Sequence, residues 1–234
     1  MIFQQVISLG GLCQASFQIK DRFGFTTSSP FDYIVTSLSS LKSILRTRGT
    51  RLGTTVHCET AGPAAMRKGI TVFCSEYRAG FQHEFPRDEN SRAIVTEASL
   101  ESCRSKLRHK YDKMDRSLKE GRPTLLLRFM GHNDAMWLTP NSDDPRPVLT
   151  DELNDLTDIV AKTYPDLPFR LAFVYFGRRT AFFETPELDT RIVPFRLEET
   201  TGDWQGDKTE WDKVFSHFDF DLANAEHAQL EYLL

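Results

Sequence analysis

Apolar positions recur along the chain at two periods, and the period in each stretch predicts its element. Gln5 to Leu9 is a short apolar run cut off by Gly10-Gly11, which predicts a buried strand and a tight turn. Cys13 to Arg22 then reads as a helix, with Phe17 four residues beyond Cys13. Ile34, Leu38, Leu41 and Leu45 repeat at helical spacing, so Pro30-Phe31-Asp32-Tyr33 is expected to lead into a helix running to about Arg46. Thr47 to Lys68 shows no pattern. Ile70 to Cys74, Thr124 to Phe129, Phe169 to Phe176 and Arg191 to Leu197 read as strands. Glu97 to Glu120 reads as a long charged helix ended by Gly121. Thr150 to Thr163 reads as a helix with Thr150 as its N-cap, and Lys208 to Phe218 as a last one.

Strands alternating with helices predict an α/β fold: one domain with a mostly parallel central sheet and helices on both faces. Such sheets bind ligands at the carboxyl ends of their strands. Two segments fall there. Cys13 lies just past the first strand, and Gly131-His132-Asn133-Asp134 lies just past the apolar strand TLLLRF.

Composition narrows the classes. Of 234 residues, 40% are hydrophobic and 26% charged, a balance suited to a folded core. The formal net charge of −4 argues against a general nucleic-acid binder. No run approaches the roughly 18 apolar residues of a membrane span. The N-terminal apolar stretch has no preceding Lys or Arg and is expected to be a strand, not a signal peptide. Cys13, Cys58, Cys74 and Cys103 are widely spaced, which predicts reduced thiols and a cytoplasmic protein. No zinc spacing, phosphate loop or dinucleotide fingerprint occurs, so neither a metal nor a cofactor is expected.

Cys13 is the leading candidate for chemistry. A helix N-terminus favours a thiolate and offers N–H donors to an oxyanion, while Gly10 and Gly11 allow a sharp turn and close approach of a ligand. The competing reading is a small hydrophobe packed under the turn. A thiol nucleophile needs a base. His83, flanked by Phe81 and Phe85, is one candidate, and His132, beside Asp134, is the other. Asp32, enclosed by apolar neighbours, could orient an imidazole or cap the helix expected from Tyr33. The basic residues from Arg104 to Arg116 read as a solvated helix face. Asp203, Asp207 and Asp212, around Trp204 and Trp211, show no recognisable ligand spacing.

The blocks Ser8-Leu9-Gly10-x-x-Cys13, Pro30-Phe31-Asp32-Tyr33 and His83-Glu84-Phe85 resemble the family called putative papain-like cysteine peptidases (DUF1796). The resemblance is expected to run through most of the chain, including Trp204 to Trp211. It implies Cys13 as nucleophile, His83 as base and Asp32 as a third member. Tyr33 replaces the family's usual Trp, and Glu84 its usual Asp. A papain-like α+β arrangement, with the cysteine's helix against an antiparallel sheet, is the alternative fold.

The leading expectation is a cysteine-dependent hydrolase or acyl transferase acting on a protein, peptide or small amide or ester, without nucleic-acid or membrane partners. The alternatives are a non-catalytic α/β domain for a carbohydrate or nucleotide-like ligand, and a Rossmann-like transferase or esterase using His132 and Asp134.

Overall fold

A computed structural model describes residues 1–24, 29–60, 70–90, 92–130, 146–176, 187–198 and 203–222. Four strands form a parallel sheet in the order β2-β7-β8-β9, comprising Gln5–Ser8, Thr124–Phe129, Phe169–Phe176 and Ile192–Leu197. β2 lies beside β7, with Val6 opposite Leu125 and Ile7 opposite Leu126. The α/β reading therefore holds.

Because side chains of a strand point alternately to opposite faces, this sheet feeds two apolar cores. Ile7, Leu126, Leu171 and Phe173 join one, with Leu107, Tyr111 and Met114 of α3 (Glu97–Lys119) and Leu153 and Leu156 of α4 (Arg146–Thr163). Val6, Leu125, Leu127, Ala172 and Val174 join the other. There they meet Ala15 and Ile19 of α1 (Gln14–Phe23) and Trp211, Val214 and Phe215 of α5 (Lys208–Phe215). The cysteine's helix thus packs on the parallel strands and not on an antiparallel sheet, as the alternative fold would require. No described helix is long and apolar enough to cross a membrane.

Between α1 and α3 the chain builds a second sheet that the alternation rule did not foresee. Its order is β3-β6-β5-β4, all antiparallel, with β3 Ile34–Val35, β4 Val56–Thr60, β5 Ile70–Cys74 and β6 Ala79–Phe81. Two expectations are corrected here. The helix expected from Tyr33 is replaced by β3, and α2 covers only Leu38–Arg46, capped by the Ser37 hydroxyl. Ile34 fits a helical spacing by coincidence, because a buried strand residue satisfies the same apolar count. The stretch Thr47 to Lys68 contains β4, whose alternation is obscured by His57 and Glu59.

α4 begins at Arg146, so Thr150 is an internal, buried helical residue and not its cap. Pro147 falls in the first turn, where its fixed φ suits a helix start. β1 (Ile2–Phe3) and β10 (Asp219–Phe220) pair in parallel and join the ends of the described chain.

Candidate active site

β2 ends at Ser8, and the chain must then turn sharply to start α1. The Ser8 hydroxyl accepts the Gly10 N–H at 3.1 Å. The Phe129 N–H donates to the Gly10 carbonyl at 3.1 Å, so the turn stays attached to β7. Both glycines have positive φ, 70° at Gly10 and 104° at Gly11. Neither position admits a side chain. A Cβ at Gly10 would lie 2.7 Å from the Phe31 carbonyl oxygen, and one at Gly11 would overlap the carbonyl oxygen of Phe129.

Beneath this turn lies Arg128, fully buried on β7. Its guanidinium donates to the Leu9 carbonyl (3.1 Å), the Thr36 hydroxyl (3.0 Å) and the Thr36 carbonyl (2.6 Å). It therefore ties the end of β2 to the segment after β3. Arg128 belongs to no motif that stands out in the sequence. The signal was present: a lone charge inside the apolar run TLLLRF has to be satisfied by hydrogen bonds if that strand is central.

Cys13 occupies the N-cap of α1 and is half-buried. Burial pushes its thiol pKa above the ordinary 9.0, and its own backbone N–H opposes that rise. The expectation of a depressed thiol pKa is therefore corrected. Loss of water around the sulfur outweighs the donor at the helix terminus, which favours the protonated thiol.

A chain of backbone pairings connects Cys13 to His83. Gly11 forms a parallel bridge with Val35 of β3, and β3 pairs with β6 in the register Ile34 opposite Phe81. Tyr33 precedes β3 and His83 follows β6 at this end of the pair, so the two residues come next to each other. Their rings meet edge to face with centroids 6.2 Å apart. Tyr33 also feels the Cys13 thiol: burial chiefly raises its pKa, and the charges of Asp32 and Cys13 add to the rise. Tyr33 is thus shared by both environments. No described contact joins Cys13 directly to His83.

Asp32 is buried and faces inward. Its carboxylate accepts from the Ser29 N–H and from the Ser16 hydroxyl of α1, each at 2.9 Å. It does not cap a helix, since the chain is extended after Tyr33. Burial lifts its pKa to about 6, against the two hydrogen bonds and the Lys110 charge, which lower it.

The expectation of a solvated basic face on α3 is corrected in part. Lys110 Nζ lies over the Tyr33 ring, 5.3 Å from its centre. Lys106 pairs at 2.7 Å with Glu84, whose side chain is buried. Arg104 donates to the carbonyls of Gly53 and Thr54. These side chains are directed toward neighbouring segments: Lys106 toward the loop that carries His83, Lys110 toward Tyr33, and Arg104 toward the turn at Gly53.

Of the remaining candidates, His132 and Asp134 lie outside the described residues. Cys74 and Cys103 are buried. The acidic residues near Trp204 have structural partners. Asp203 accepts from the Gln205 N–H, Asp207 caps α5 through the Thr209 N–H, and Asp212 lies 4.0 Å from Arg22.

Comparison with known proteins bears on this arrangement. The family model for putative papain-like cysteine peptidases (DUF1796) matches residues 4–178. The chain belongs to this family. The match takes in β2, the Cys13 turn, the second sheet and β7 through β8. It stops short of Trp204 to Trp211, so the expected extension of the resemblance to that region is corrected. No curated protein and no solved structure matches the chain.

Proposed function

We propose that the protein is a cysteine-dependent hydrolase or acyl transferase acting on an amide or ester carbonyl, with Cys13 as nucleophile and His83 as base. One observation carries this reading. A half-exposed thiol stands at the N-cap of α1, on a two-glycine turn at the carboxyl end of a parallel strand. Family membership supports it at the level of a cysteine peptidase.

The protonated thiol defines how the chemistry runs. Attack of Sγ on the carbonyl carbon requires the S–H proton to leave at the same time, and the imidazole of His83 takes it. The carbonyl oxygen becomes an oxyanion, for which free N–H groups in the first turn of α1 are the available donors. The imidazolium then returns its proton to the leaving amine or alcohol, and a thioester remains on Cys13. Water completes a hydrolysis; another nucleophile completes a transfer. Asp32 acts as a positioning residue, holding Ser16 of α1 against the loop that leads to Tyr33.

The test is turnover of a panel of p-nitrophenyl esters and coumarin amides by wild type, Cys13→Ala, His83→Ala and His132→Ala. Loss of turnover in Cys13→Ala and a drop of about 100-fold or more in His83→Ala are expected. Full turnover in Cys13→Ala would rule out the nucleophile. A drop in His132→Ala, with His83→Ala unaffected, would move the base to His132.

A further inference from the structure

Exposed aromatic side chains are unusual in a core as aromatic as this one, and their placement is uneven. Among the described residues, the large hydrophobic side chains left exposed include two rings, Tyr33 at 40% and Trp204 at 58%. Tyr33 belongs to the Cys13 environment described above. Trp204 reaches α1 from the segment at residues 203–222, beyond the part of the chain that the family model matches.

Trp204 is held in place, not left loose. The Gln14 side-chain amide donates to the Trp204 carbonyl at 3.0 Å, and the Gln18 amide donates to the Gln205 carbonyl at 2.7 Å. Both glutamines are buried. Gly206, with φ 81°, turns the chain against the Gln14 amide, where a Cβ would collide with it. Lys208 adds an ion pair to Asp21 of α1 at 2.8 Å. The indole then packs edge to face on Phe17, with ring centroids 5.4 Å apart.

Phe17 lies one helical turn after Cys13, its N–H bonded to the Cys13 carbonyl at 3.0 Å. Residues four apart share a helix face, so the Phe17–Trp204 pair lies on the same line of α1 as the thiol. Leu12, half-buried, adds apolar surface immediately before Cys13.

We propose that Trp204, braced by Gln14 and Gln18 and backed by Phe17, is a specificity-determining residue that binds an aromatic or other planar apolar group next to the reacting carbonyl of the substrate. The proposal rests on Cys13 being the reacting group and names the class of substrate it takes. An exposed indole backed by Phe17 gains by stacking on such a group, and its braced backbone limits the conformational freedom lost in doing so.

Alkylation tests this without requiring turnover. Iodoacetamide and N-benzyl-iodoacetamide are compared for the rate of Cys13 modification, read by peptide mapping and normalised to their rates with glutathione. Wild type is expected to favour the benzyl reagent by about fivefold or more, the size of a single aromatic contact. Trp204→Ala should lose that preference while its iodoacetamide rate stays unchanged, and Trp204→Phe should keep part of it. The two bracing bonds go to main-chain carbonyls, so both variants retain them. Equal ratios in wild type and Trp204→Ala, or a Cys13 that neither reagent modifies, would overturn the proposal. Because alkylation needs no catalytic base, the ratio is independent of whether Cys13→Ala abolishes turnover.

Discussion

Around Cys13 the backbone is held by β7, by β3 and by a buried arginine, whereas among the described residues His83 meets this region through its ring contact with Tyr33. The first region is built into the parallel sheet; the second hangs from the end of a short antiparallel strand. The difference separates two tasks. The position of Cys13 is set by groups that also hold the fold, so changes there cost stability. His83 is exposed, and few described contacts depend on it, so changes there cost little stability.

Substitutions can break this contrast, and the largest effect belongs to the turn. Gly11→Ala combines a Cβ overlapping the Phe129 carbonyl with a φ of 104°, and is expected to destabilise by roughly 4 kcal/mol or more. For a chain of this size that lowers the melting temperature by on the order of 10 °C, measurable by calorimetry. A melting temperature within a degree or two of wild type would show that the turn is not constrained as described.

Arg128→Met follows. It leaves the carbonyls of Leu9 and Thr36 without their buried donor and should cost about 3 kcal/mol. Denaturant unfolding measures this directly. Arg128→Lys should recover only part of the loss, since one ammonium cannot reproduce the fork that spans both carbonyls.

Asp32 makes the stability of the Cys13 region depend on pH. Burial favours its neutral form, so the folded chain binds the proton more tightly than the unfolded chain does. Its contribution to stability is therefore greatest below the ordinary 3.8 and declines as pH rises to about 6. The full decline is at most about 3 kcal/mol. Asp32→Asn lacks that decline, so the stability of this variant relative to wild type should rise between pH 4 and pH 7. Parallel stability curves for the two proteins over that range would contradict the assignment.

The smallest effect on stability belongs to His83→Ala, expected within about 0.5 kcal/mol of wild type, because an exposed ring with one contact is removed. Its effect is read in turnover instead. A loss of several kcal/mol would mean that His83 is part of the framework.

Much of the parallel sheet was legible in the sequence, because β7 and β8 are apolar enough to announce burial on both faces. The Cys13 turn was legible for a related reason, since Gly10 and Gly11 interrupt an apolar run immediately before a helical one. The antiparallel sheet was not. β3 has two residues, and β4 carries polar residues among its apolar ones, so neither rises above its surroundings. The pairing of β3 with β6 is a long-range contact that no local pattern reports, and it is this pairing that brings His83 to Tyr33. The protonation state of Cys13 was misread for the same reason. Position at a helix N-terminus is local, whereas the burial that outweighs it is set by tertiary packing.

The proposed chemistry starts from a protonated thiol whose proton leaves as Sγ attacks. The most direct test is the rate of Cys13 alkylation by iodoacetamide between pH 5 and pH 10, followed by peptide mapping. The rate is expected to keep rising through pH 9, with no plateau on the acidic side. A rate already level at pH 5 to 6 would reveal a preformed thiolate and contradict it.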